Sequence, residues 1–174
     1  HPPLKANLAE FKFGVAWYLG FLEPMPAAAL VPWREAQDWV RNYLAKNNIA
    51  VGQAIGIHPG ASLRHKMLKS DQVAQIIRGI RAEGVPVILI GGPADRSLID
   101  EIKDIFGDPL VPSFVETLPR LVGLCTYLRG LIVMDSGSSH IAAALGCPVT
   151  VVFWHHEFQV SVPLGNNVSV VLPP

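Results

Sequence analysis

Cysteine is scarce: the chain of 174 residues has two, Cys125 and Cys147. They provide neither a disulfide framework nor the clustered spacing of a metal site. Cys147 lies in the core-like run LGCPVTVV, and both read as buried, reduced thiols of a cytoplasmic protein. Charge is also scarce, at 16%, and it cancels, with 14 Lys and Arg against 14 Asp and Glu. No basic run stands out, which argues against nucleic acid as a partner, since neutralising phosphates takes clustered Lys and Arg. An uninterrupted apolar run of roughly 20 residues, the length a membrane-spanning helix needs, is missing. The most membrane-like stretch, Phe13 to Val31, is broken by Glu23, Pro24 and Pro26. It has no basic leader and no cleavage site, so it does not read as a signal peptide. There is no internal repeat, and no GxGxxG, which weakens a nicotinamide or flavin reading. An initiator Met is absent as well, and the opening His1-Pro2-Pro3 reads as a chain that begins midway.

What is present is apolar and periodic. Half the residues are hydrophobic, enough for a sizeable core in one domain plus a linker. Leu4, Leu8, Phe11, Val15 and Leu19 have helical spacing up to Gly20, and a Pro-rich connector follows over Phe21 to Pro32. Trp33 to Lys46 is helical again. Beyond residue 50, strands and helices alternate. Strands are expected at 53–58, 85–90, 109–114, 131–134, 149–153 and 168–172, and helices at 69–82 (Ser70 its N-cap), 94–106, 118–129 and 138–145. Strands apolar throughout, alternating with helices, indicate a parallel sheet covered on both faces. Six of them suit an α/β, doubly wound, Rossmann-like sheet, whose ligands lie beyond the carboxyl ends of the strands.

The unusual loops all fall at that edge. The most informative stretch is LIVMDSGSSHIAAAL, Leu131 to Leu145. It reads as a buried strand, a tight turn and the first turn of a helix. Such a helix start leaves N–H groups unpartnered and carries about half a unit of positive charge. Ser136, Gly137, Ser138, Ser139 and His140 there suit a diphosphate, with the Asp135 carboxylate at the mouth. The plainer alternative is an ordinary capped helix with Ser or Asp at its N-cap. His58 to Lys66, HPGASLRHK, pairs small residues with Ser62, Arg64, His65 and Lys66; it suits phosphate, or is a solvated basic turn. In GGPAD, Asp95 is placed to accept ribose hydroxyls or to cap the next helix, with Gly91 and Gly92 as candidate pocket wall. Asp135 would repel a diphosphate, so it reads better as a partner of sugar hydroxyls. Trp154, His155 and His156 follow the fifth strand. The neighbouring histidines diverge, and no trio of ligands has metal spacing, so no metal is expected.

Together HPGAS, Lys66 ahead of a helix, VILIGGPAD and MDSGSSHIAAALGCPVTVVF resemble the inverting glycosyltransferases of the ADP-heptose:lipopolysaccharide heptosyltransferase family. The resemblance covers about Ala54 to Gly165. It implies the carboxyl-terminal, donor-binding half of a GT-B fold, in which two Rossmann-like domains face each other across a cleft. Residues 1–50 would then lead in from an amino-terminal domain, and 51–174 would bind the nucleotide sugar. By the same resemblance Ser62, Lys66, Ser136, Gly137, Ser138, Ser139 and His140 would hold the donor phosphates, and Asp95 and Asp135 the ribose and the sugar. Trp154 would wall the pocket. The catalytic base would lie in the other half. No cofactor is implied beyond the ADP-sugar itself. The acceptor would be a lipid-linked saccharide, and the enzyme cytoplasmic, peripheral at the inner membrane face. Two departures stand out: Leu68-Lys69 where the family has Trp-Pro, and Trp154-His155 where it has Gly-Pro. A nucleotide-sugar 2-epimerase and a non-catalytic nucleotide-sugar binding module are the alternative readings.

Overall fold

The computed structural model describes residues 30–153 and 161–172. The helix expected up to Gly20, most of the Pro-rich connector, and Trp154 with His155 and His156 lie outside the described residues. In chain order the elements are α1 (Arg34–Lys46), β1 (Ile55–His58), α2 (Ser70–Ala82), β2 (Val87–Gly91), α3 (Arg96–Phe106), β3 (Ser113–Val115), α4 (Leu118–Cys125), β4 (Gly130–Met134), α5 (Gly137–Ala144), β5 (Val149–Val152) and β6 (Val168–Val171). The six strands form one sheet in the order β3-β2-β1-β4-β5-β6, and all five neighbouring pairs are parallel. The expected doubly wound sheet is therefore what the chain builds, and its order reverses between β1 and β4.

Both faces are covered, as the continuous apolar strands require. In β2, Ile88 and Ile90 turn to one face, with Val40, Leu44, Phe114, Leu124 and Val133. Val87 and Leu89 turn to the other, with Ile57, Val73, Ile77, Ile99 and Ile102. Burying one such side chain is worth ~1.5–3 kcal/mol, whereas an exposed ion pair such as Arg41–Asp38 contributes at most ~1 kcal/mol. These two apolar layers hold the sheet. Gly56 allows β1 to sit at its centre: a Cβ there would fall 2.6 Å from Ile90 Cδ1 and 2.8 Å from Leu128 Cδ1.

Helix α1 packs into the same core. Its Trp39 and Tyr43 rings meet Phe114 edge-on, the Tyr43 hydroxyl donates to the Ser113 carbonyl at 3.0 Å, and Arg120 lies 4.0 Å over the Trp39 ring. Burial, then the charge of Glu116, pushes the Tyr43 phenol upward.

Several element ends differ from the periodicity, each for a local reason. Ser70 is the first residue of α2, and Lys69 precedes it with its N–H bonded to Gln72 Oε1 at 2.9 Å. The third strand begins at Ser113 because Pro109 and Pro112 have no N–H to donate; the Pro112 carbonyl accepts from Leu89 at 2.9 Å. Helix α4 stops at Cys125, well short of Arg129, whose N–H is taken by the Ala54 carbonyl at 2.8 Å to start the next strand pairing. At the expected Asn166-Asn167 turn, the Asn167 amide donates to the Cys147 and Ala143 carbonyls at 2.6 and 3.2 Å, tying off the end of α5.

Candidate nucleotide-binding site

Three of the four loops singled out above are described, and they meet at the carboxyl edge of the sheet. The loops after β1 and β4 flank the point where the strand order reverses, the usual crevice for a ligand in such sheets. Two contacts bridge them. Lys66 Nζ lies 2.5 Å from Asp135 Oδ2, both side chains being mostly buried. His58 Nδ1 lies 2.5 Å from Ser138 Oγ. The β2 loop joins through Asp95, whose Oδ2 is 3.5 Å from His58 Nε2 and accepts the Gly92 N–H at 2.8 Å. The His58 ring first, and the Gly92 N–H after it, hold the Asp95 carboxyl below the usual carboxylate value against the opposing effect of burial.

Helix α5 opens on Ser136, whose backbone is extended (φ −149, ψ 163), and then coils from Gly137. The Ser139 N–H already donates to the Ser136 carbonyl at 3.1 Å, and the amides of Gly137 and Ser138 precede the first intrahelical acceptor. Gly137 is exposed, and a Cβ built on it would meet nothing within 4 Å. The helix start is therefore open on the side where a Gly137 side chain would stand. His140 is exposed one turn on. Ser138 and Ser139 are 5% and 1% exposed, and their hydroxyls are already engaged. Ser139 Oγ donates to the Ser136 carbonyl at 2.7 Å, and Ser138 Oγ lies 2.7 Å from Ser136 Oγ. Ser62, Arg64 and His65 are exposed on the β1 loop, within or beside the short turn Arg64–Lys66.

The glycines that read as room for a ligand split into two kinds. Gly60 and Gly91 make room for Asp95: Cβ atoms there would fall 2.5 Å from Asp95 Oδ1 and 2.7 Å from Asp95 Cβ. Gly92 supplies the N–H that holds the same carboxylate. Only Gly137 of the four faces open space. The residue that sequence reading passed over is His58, treated only as the start of its loop. Its signal was weak: a histidine ending a central parallel strand, at the edge where ligands bind. Leu68, the first departure from the family pattern, packs against the core of α2 and α3.

Among the described residues no three His, Cys, Asp or Glu side chains are grouped to hold a metal ion. Cys125 and Cys147 are free and buried; burial pushes the Cys147 thiol up to about 11 and Cys125 up as well, so neither is poised as a nucleophile.

A six-stranded parallel sheet in this order, with a helix opening on an exposed glycine at its switch point, defines a Rossmann-like α/β domain. The chain matches the family model for glycosyltransferase family 9 (heptosyltransferase) over residues 27–173, and it belongs to that family. It is 28% identical over 135 residues to lipopolysaccharide heptosyltransferase 3 of Escherichia coli, covering 75% of this chain and 40% of that protein. Its fold is shared with the crystal structure of a family 9 glycosyl transferase from Veillonella parvula DSM 2008: TM-score 0.85 at 17% identity, covering 96% of this chain and 49% of that one. E. coli heptosyltransferase WaaC with ADP gives a TM-score of 0.73 at 18% identity, covering 100% of this chain and 52% of that one. The chain thus spans about half the length of the relatives it matches.

Proposed function

We propose that this chain is the donor-binding half of an inverting GT-B glycosyltransferase that takes a nucleotide-diphosphate sugar, ADP-heptose by preference, and transfers it to a lipopolysaccharide core acceptor. The observation that carries the reading is the open α5 start beside the Lys66–Asp135 pair, at the switch point of a family 9 chain. Two solved structures of one relative with this fold, E. coli heptosyltransferase WaaC, hold ADP and ADP-2-deoxy-2-fluoro heptose, which fits a site for such ligands here.

Inverting transfer needs a deprotonated acceptor hydroxyl, an oxocarbenium-like centre and a departing nucleoside diphosphate. This half serves the last. Charge building on the diphosphate is met by the amides of Gly137 and Ser138 and by Lys66, with Ser62 and His140 at the rim, while the Ser136 hydroxyl, engaged with Ser138 Oγ, braces the helix start. The Ser139 hydroxyl acts indirectly, by fixing the Ser136 carbonyl. Fixed donors and a lysine at the leaving group make a divalent metal unnecessary in this scheme. Asp135 stands beside that charge and so takes sugar hydroxyls, and it pre-positions Lys66 until the donor arrives. Asp95 takes the ribose through whichever carboxylate lone pairs Gly92 and His58 leave. The acceptor and the catalytic base belong to the facing half of the full-length enzyme. Among the described residues no helix is long and apolar enough to cross a membrane.

Calorimetric titration of ADP and ADP-sugars into the folded chain tests the site. Saturable binding, tighter for ADP than for AMP, is the expected result. No heat at millimolar ligand would remove the donor reading.

A further inference from the structure

We propose that His58 is a positioning residue of the donor site, acting through Ser138 on the open end of α5; this role presupposes the donor site described above. His58 closes β1 with its side chain 14% exposed, and both ring nitrogens face a partner. A carboxylate only accepts hydrogen bonds, so the Nε2 that faces Asp95 carries the hydrogen. Nδ1 is then left for the Ser138 hydroxyl at 2.5 Å, and Ser138 Oγ passes the contact on to Ser136 Oγ at 2.7 Å.

The far end of this row is tied to the backbone of the β2 loop. Gly92 N–H holds Asp95, whose side chain lies against Gly60 and Gly91 where a Cβ on either would collide with it. The near end is the residue whose hydroxyl stands at the mouth of the helix. His58 and Ser138 are 80 positions apart in sequence, so the bond links two loops on opposite sides of the switch point. Helix α5 has only eight residues, and its first turn is registered against β1 through this ring. Without it, the Ser136–Ser138 hydroxyl pair loses its anchor on β1, and the amides beside it are held less firmly in direction. Preorganised donors are what an anion site needs, so affinity should fall although His58 touches no ligand.

The test is a double-mutant cycle on the 174-residue chain, read as ADP affinity by calorimetry, with thermal melting as a folding control. His58→Ala and Ser138→Ala are each expected to weaken ADP binding about tenfold. The double variant should lose no more than either alone. His58→Asn, whose amide can reach Ser138 from near the Nδ1 position, should recover most of the affinity; His58→Leu, of similar bulk, should not. Unchanged affinity in His58→Ala, losses that multiply in the double variant, or recovery by leucine would each overturn the role. If His58→Ala fails to fold, ring nitrogen NMR decides. The Nδ1 resonance should move in Ser138→Ala and on adding ADP, and a resonance indifferent to Ser138 overturns the role. No ADP binding by the folded wild-type chain defeats the donor site and this inference together. Binding without the coupling defeats the inference alone.

Discussion

The carboxyl edge of the sheet has an inner arm and an outer arm, built on different terms. The inner arm, Asp95–His58–Ser138–Ser136, is largely buried and closed, each member held by the next. In the outer arm Ser62, Gly137 and His140 are exposed, and Lys66, mostly buried, is held by Asp135. In the proposed site the inner arm fixes positions and offers a ligand only what Asp95 has left, and the outer arm offers the groups nearest to solvent. Substitutions should therefore separate stability from binding.

Glycine gives the largest contrast. In Gly91→Ala the new methyl falls 2.7 Å from Asp95 Cβ and 2.9 Å from Ile99 Cδ1, and Asp95 cannot retreat. A stability loss of ~1–3 kcal/mol is expected in urea denaturation, with loss of ADP binding, because overpacking displaces the inner arm. Gly137→Ala is the counterpart. Its methyl meets nothing, and alanine is the better helix former by ~1 kcal/mol, so stability should hold or rise. ADP affinity should nevertheless fall, because the methyl enters the ligand's approach. Equal stability losses in the two variants would erase the distinction between the arms.

Lys66→Ala ranks next. Removing a charged donor from an anion should weaken ADP binding roughly tenfold or more, since such bonds are worth ~1.5–3 kcal/mol. Some stability is expected to go with it, because Asp135, whose side chain is 11% exposed, loses this cation. In the full-length enzyme the same change should slow transfer, and an unchanged rate would remove Lys66 from the mechanism.

Asp135→Asn sharpens the outer arm further. It removes a negative charge beside the diphosphate and a partner for sugar hydroxyls. ADP should bind as well or better, while an ADP-sugar should lose ~1 kcal/mol relative to ADP, about one neutral hydrogen bond. Calorimetry with both ligands on one variant reads the difference directly.

Much of this architecture is legible along the chain. Continuous apolar strands separated by amphipathic helices show through composition and period, and small residues after each strand mark the edge where loops collect. The outer arm is legible for the same reason, since Lys66 and DSGSSH are local patterns. The inner arm is not local. His58 and Ser138 stand 80 residues apart, and nothing in either neighbourhood names the other. Gly60 and Gly91 look like room for a ligand until Asp95 is seen filling the space. The end of α4 was hidden likewise, because the Arg129 N–H is claimed by Ala54 from another strand.

The smallest expected effect is on the acid side of stability. Asp95 has its carboxyl held below the ordinary value, by His58 first and the Gly92 N–H with it. A carboxyl lowered in the folded state stabilises the fold above its unfolded value, and that contribution fades as pH falls through the lower, folded value. The stability gap between wild type and Asp95→Asn should therefore be full at neutral pH and should shrink below about pH 4, near the ordinary carboxylate value. Asp95 is partly exposed, so solvent screening keeps the gap small. Urea midpoints for both chains at pH 7 and pH 3 measure it. A gap that stays constant between the two would mean that Asp95 stabilises by shape, filling the space beside Gly60 and Gly91, and that the charge facing His58 contributes nothing to holding the inner arm.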